Sequence, residues 1–333
     1  MRSVHGLALF ILAALAPACA TIDPDPLTEH DEAQEFRCPT CGDGRDVGSL
    51  NTHGNNGLVV DAVDTTGKEF EGSTLLAVEL RGEHETGQVL HDVHAEDGVL
   101  YGTDELGVLH SGADFEGSLW TLRLDITLFD VPPVEESTVE WVLKVKSFVS
   151  DGARTRYVFV NGPTSGNTEA FSCDMDPETG EFSAILYTDL WVDPITGTHA
   201  ERPNTIYFGC ISGAIGKAGM WGYPQHEVGF QMHQAASRMV RADYCGTGHS
   251  FTQTGTPLQM TDELGIRMFP DPGKSTEAMW TESGAACLLE PRRPEHSYES
   301  VDCEGEHLPM CDPGSVLADW GALLWSKNLP STP

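Results

Sequence analysis

Cys245 is the residue whose neighbours most suggest chemistry, with Asp243 just before it, His249 just after and His233 upstream. A cysteine nucleophile needs a thiolate, supplied by a nearby base or by a helix N-terminus. A hydrolase using Cys245 with His233 or His249 is therefore the enzymatic reading of the chain. Against it stands the rest of the cysteine set. The chain has nine cysteines, and setting Cys19 aside leaves Cys38, Cys41, Cys173, Cys210, Cys245, Cys287, Cys303 and Cys311. These eight pair evenly, and exported chains live where thiols oxidise. Order alone does not give the connectivity, although Cys38–Cys41 and Cys303–Cys311 would close the shortest loops. A bridged Cys245 has no thiolate, so the preferred reading is non-enzymatic.

Other constellations are weaker. Cys38-Pro39-Thr40-Cys41 has half the ligands of a zinc ribbon and no second pair, so a small disulfide is preferred. Asp174-Met175-Asp176-Pro177-Glu178-Thr179-Gly180 alternates carboxylates like a calcium loop, but its glycine and later positions are out of place, and a turn is preferred. His84, His91, His94 and His110 share one β-rich stretch without a metal-binding spacing. No Gly-Lys-Ser/Thr phosphate loop and no Gly-x-Ser-x-Gly elbow occurs. The sequence thus implies neither a metal nor a cofactor, and Asp243 and Tyr244 read as anchors of a helix end.

That helix is expected over residues 229–245. Phe230, Met232, His233, Ala235, Ala236, Ser237, Met239 and Val240 form a broad stripe at helical spacing. Gly246 stands where a C-cap glycine belongs, and Arg238 and Arg241 suit the negative end of the dipole. Placed there, Cys245 sits at the end that disfavours a thiolate. Elsewhere the period is two. Trp120, Leu122, Leu124, Ile126 and Leu128 alternate with polar residues, as do Val139, Trp141, Leu143 and Val145. Tyr157–Val160, Ala184–Leu190 and Thr205–Phe208 read as further strands. Gly-bearing turns at 64–67, 176–180 and 193–197 favour antiparallel hairpins. Phe70-Glu71-Gly72-Ser73 recurs as Phe115-Glu116-Gly117-Ser118, two similar strand entries into one sheet system. The fold class is β-rich α+β: antiparallel sheets and hairpins with one packed amphipathic helix, stapled by disulfides.

Residues 1–18 have the character of a secretory signal, with Arg2, an apolar Leu7–Leu15 and small residues at Ala16–Ala18. Cys19 follows in the position of a lipoprotein cysteine, with ordinary cleavage after Ala18 as the alternative. Residues 19–57 read as a Pro/Asp/Gly-rich tether, 58–200 as a β-rich lobe, 201–315 as a lobe carrying the helix, and 316–333 as a tail. The formal net charge of −32 argues against nucleic acid and anionic surfaces as partners. A lipid anchor to a membrane is expected, leaning towards the outer membrane, and an envelope protein or polysaccharide is a candidate partner class.

Arg238-Met239-Val240-Arg241-Ala242-Asp243-Tyr244-Cys245-Gly246 resembles the signature of the ADYC domain family, which takes its name from Ala242-Asp243-Tyr244-Cys245. Cys210-Ile211-Ser212-Gly213-Ala214-Ile215-Gly216-Lys217, Met220-Trp221-Gly222-Tyr223 and Met232-His233-Gln234-Ala235 are also similar to it, and the likeness spans roughly 58–311. The resemblance implies an exported, cysteine-rich domain, known mainly from myxobacterial and related envelope proteins, and implies no reaction. It also implies cysteines at two positions that are Ala218 and Ala236 here, partners of each other in relatives.

Overall fold

The computed structural model describes residues 49–50, 60–81, 87–125, 138–150, 154–163, 170–268 and 276–329. Among the described residues there are two antiparallel sheets and two α-helices. In chain order the first strands are β1 (Ser49–Leu50), β2 (Ala62–Asp64), β3 (Ser73–Leu80), β4 (Gln88–Glu96), β5 (Val99–Asp104) and β6 (Leu109–Ser111). Then come β7 (Leu119–Asp125), β8 (Thr138–Ser150), β9 (Thr155–Pro163), β10 (Ala170–Phe171), β11 (Ser183–Val192) and β12 (His199–Cys210). Helices α1 (Ala214–Met220) and α2 (Gln225–Arg241) follow, then β13 (Pro257–Asp262), β14 (Thr276–Thr281), β15 (Gly284–Leu288) and β16 (Leu324–Asn328).

The large sheet runs β2-β12-β11-β9-β8-β7-β3-β4-β5-β6, with β10 beside β9. The alternation read from sequence decides which face is buried. Trp120, Leu122 and Leu124 of β7 point inward while Arg123 is exposed, as period-two geometry requires. Leu143 and Val145 do the same on β8. Ile126 and Leu128 lie outside the described residues. Strand β4 also packs against β11 and β12, so the sheet folds over an aromatic core. There Trp120, Phe159 and Phe208 meet edge-on, and the Tyr157 hydroxyl accepts the Leu100 amide. The repeated Phe-Glu-Gly-Ser entries lead into β3 and β7, which pair antiparallel as neighbours. Both aromatic residues, Phe70 and Phe115, are buried.

The small sheet runs β1-β13-β16-β14-β15. Its strand β16, within residues 316–333, lies between β13 and β14. Helix α2 touches β11 and β12 of the large sheet and β14, β15 and β16 of the small one. Residues 232–241 are accordingly buried on every side, the expected state of a helix covered on more than one face.

Two helical details differ from the sequence reading. The helix expected over 229–245 begins at Gln225, breaks at Gly229 (φ 79°) and ends at Arg241. Ala242, at φ 50°, is the left-handed C-cap, so Asp243, Tyr244 and Cys245 lie beyond the helix and Gly246 is not its cap. The second difference is α1, which sequence periodicity did not reveal. Its Gly216 and Gly219 lower helix propensity, yet they let it lie close on the sheet. A Cβ at Gly216 would fall 2.3 Å from the Cys210 and Gly209 carbonyl oxygens, and one at Gly219 2.3 Å from the Tyr187 hydroxyl.

Candidate functional site

The end of α2 leaves backbone carbonyls without helical partners, and two buried arginines take up this region. Arg292 donates from Nη1 to the Val240 carbonyl (2.9 Å) and from Nη2 to that of Met239 (2.7 Å). Its cation therefore meets the negative helix terminus. The same guanidinium forks onto Glu277 of β14, Nε to Oε1 at 3.0 Å and Nη2 to Oε2 at 3.1 Å, and both side chains are fully buried. Tyr244 closes the network. Its hydroxyl donates to Glu277 Oε1 at 2.8 Å and accepts the Arg292 amide at 2.8 Å. Burial, reinforced by the Glu277 charge, pushes the Tyr244 phenol well above its ordinary range, so it stays a donor. The Tyr244 ring stacks on Trp280 at 5.4 Å.

Asp243 organises the other side. It accepts Arg238 Nη1 at 2.7 Å, the Thr247 amide at 3.1 Å and the Gly248 amide at 3.0 Å. Arg238 reaches onward to the Glu282 carbonyl (2.6 Å), in the β14–β15 turn, and to the Thr196 carbonyl (3.2 Å), in the β11–β12 turn. One buried ion pair thus pins a turn of each sheet to the helix end. The loop fits only because it carries glycines. A Cβ at Gly246 would lie 1.9 Å from the Ser283 carbonyl oxygen, and one at Gly248 1.9 Å from that of Ile195.

Cys245 is bonded to Cys303, Cys173 to Cys210 and Cys287 to Cys311. The short Cys303–Cys311 loop is therefore not the one that closes. Cys19, Cys38 and Cys41 lie outside the described residues. Among the described residues no hydrogen bond or ring contact joins Cys245 to His233 or His249. His249 packs edge-on against Phe251 at 4.6 Å. His233 is fully buried, donates from Nδ1 to the Tyr223 carbonyl at 2.6 Å, and has its ring 4.7 Å from that of Tyr187 and 5.0 Å from that of His199. Burial lowers its pKa to about 4, which keeps it neutral at physiological pH.

His94 donates from Nδ1 to the Asp92 carbonyl at 2.7 Å and stacks on Tyr101. His110 pairs with Asp104 at 3.2 Å, and His84 lies outside the described residues. Among the described residues no group of three or more His, Cys, Asp or Glu could hold a metal ion. The 174–180 segment is a turn in which Asp176 accepts the Thr179 amide and hydroxyl, both at 2.9 Å. The sequence led to the expectation that Asp243 pairs with an Arg or with backbone amides, and Arg238, Thr247 and Gly248 fill those roles; it did not give Glu277 and Arg292 as the partners of Tyr244, nor Lys217 and Asp176 as a buried pair. The available signal was a single charge inside an otherwise apolar or glycine-rich stretch, as for Lys217 between Cys210 and Trp221.

The ADYC domain family matches this chain over residues 112–294, and these residues contain the whole clasp just described. The chain belongs to the ADYC domain family. No curated protein and no solved structure matches it. The ADYC match takes in β7 to β15 and both helices, while Cys303 and Cys311 lie past its end. Two disulfides therefore tie the ADYC domain to the segment that follows it. Ala218 and Ala236, where the resemblance implies a cysteine pair, share one buried core cluster, and α1 packs on α2.

Proposed function

We propose that this ADYC-domain protein is exported to the bacterial cell envelope, is anchored there through a lipid on Cys19, and serves as a non-enzymatic binding, surface or structural domain. The observation that carries this reading is the Cys245–Cys303 bond. It occupies the one sulfur whose neighbours suggested a nucleophile, and three disulfides in one body suit an oxidising compartment. Each polar side chain of the signature is also engaged in the fold. Asp243 is held by Arg238 and two amides, and Tyr244 by Glu277 and Arg292. No described helix is long and apolar enough to cross a membrane, so attachment in this reading falls to the lipid.

The test is expression of the full chain, leader included, in a Gram-negative bacterium, followed by fractionation and mass spectrometry of the N-terminal peptide. The reading expects envelope fractionation and a diacylglycerol on Cys19, both lost in Cys19→Ser apart from soluble export. Recovery of the wild-type chain from the cytosol with reduced thiols would overturn it.

A further inference from the structure

Lys217, on α1, is buried to 1% side-chain exposure and contacts Asp176, itself buried to 1%, through Nζ and Oδ1. Its second carboxylate neighbour is Glu178, with Oε2 3.5 Å from Nζ and 12% exposure. The Trp221 indole donates to the same Glu178 oxygen at 3.1 Å. The far oxygen of Asp176, Oδ2, is held by the Thr179 amide and hydroxyl, each at 2.9 Å. An amine, a carboxyl and a second carboxyl thus share one dry site, and none of the three takes part in the signature clasp.

We infer that Lys217 and Asp176 condense into an intramolecular amide bond, with Glu178 as the proton carrier. After the Lys217 proton passes to Asp176, the free amine adds to Asp176 Cγ. The charge that develops on Oδ2 falls against the two Thr179 donors, which are already in place to receive it. Glu178 gives its proton to Oδ1, the Cγ–Oδ1 bond breaks and that oxygen leaves as water. Glu178 then takes one proton back from Nζ. The balance is one ammonium and one carboxylate giving one amide and one water, with no outside reactant.

Three features favour the step. Fixed contact between Nζ and the carboxyl replaces a bimolecular encounter. A buried ion pair bears a desolvation penalty on both partners, and condensation removes both charges together. Glu178, finally, has its carboxyl raised above the usual range by burial, only partly offset by the Lys217 charge, so it can hold the proton it must give. The Cys173–Cys210 bond joins the same two segments and holds them in register for the reaction.

The experiment is mass spectrometry of the purified full chain, its N-terminus determined, after complete reduction and alkylation so that Cys173–Cys210 no longer links the segments. The wild-type protein is expected one water lighter than its sequence. Chymotrypsin, cutting at Phe182, Tyr187 and Tyr207, is expected to leave a branched peptide joining Asp176 to Lys217. Lys217→Arg and Glu178→Gln are expected at full linear mass. A wild-type chain of full linear mass with no branched peptide overturns the proposal, and this reading needs no variant to fold. Water loss in Glu178→Gln equal to that of wild type would remove Glu178 from the reaction.

Discussion

At the scale of single residues, a signature that reads as reactive is built as a clasp. Asp243 and Tyr244 were legible as anchors of a helix end because short polar and phenolic side chains suit that role. The partners of Tyr244 were not legible, since Glu277 and Arg292 lie 33 and 48 residues from it along the chain, and nothing local encodes such a pairing. Asp243→Ala leaves Arg238 buried without its carboxylate and two amides unserved. It should cost about 3–5 kcal/mol in urea unfolding, the usual penalty for breaking a buried pair. Tyr244→Phe removes only a hydroxyl and should cost about 1–3 kcal/mol. A second consequence concerns pH. The folded pKa of His233 is about 4 against an ordinary 6.5, so between those values the unfolded chain binds a proton that the folded chain refuses. Its contribution is complete above about pH 6.5 and is lost as the pH falls towards 4, amounting to about 3 kcal/mol. His199, with its ring 5.0 Å away, is lowered by the same burial and acts with the same sign. Urea titrations at pH 7 and pH 4.5 should show a smaller stability loss for His233→Gln than for wild type.

At the scale of elements, period-two alternation gave β7 and β8 and their buried faces, as Trp120, Leu122 and Leu124 demonstrate, whereas the strands of the small sheet carried no such signal. Helix ends were less legible. The stripe from Phe230 to Val240 located α2, but the expected cap at Gly246 was displaced by Ala242, which takes the left-handed conformation that favours glycine. Gly246 is needed for a different reason, the close approach of the β14–β15 turn. Two glycines of similar φ separate these demands. At Gly180, with φ 74°, an added Cβ would meet nothing within 4 Å, whereas at Gly246, with φ 69°, it would strike the Ser283 carbonyl. Gly180→Ala should therefore cost only the left-handed penalty, about 1–2 kcal/mol. Gly246→Ala should cost clearly more, with thermal melting of the two variants as the comparison. Helix α1 escaped detection because the glycines that let it lie against β11 and β12 also erase its propensity signal.

At the scale of the whole molecule, the even cysteine count foretold covalent bracing, but pairing depends on which chain segments the fold brings together. Cys245 meets Cys303 and Cys287 meets Cys311 because the segment after the ADYC match returns to the small sheet, where β16 runs between β13 and β14. The Cys245→Ser, Cys303→Ser double variant should lose about 2–5 kcal/mol of stability while keeping its far-UV circular dichroism spectrum at low temperature. The surplus of negative charge bears on solubility and partners and leaves the fold undetermined. The decisive feature of the fold is the bracing role of the signature cysteine. It is tested most directly by alkylating the native, unreduced chain with iodoacetamide and mapping its peptides. Cys245 should remain unlabelled and be recovered in a disulfide-linked peptide with Cys303. A folded protein in which Cys245 is alkylated and Cys303 is free would contradict it.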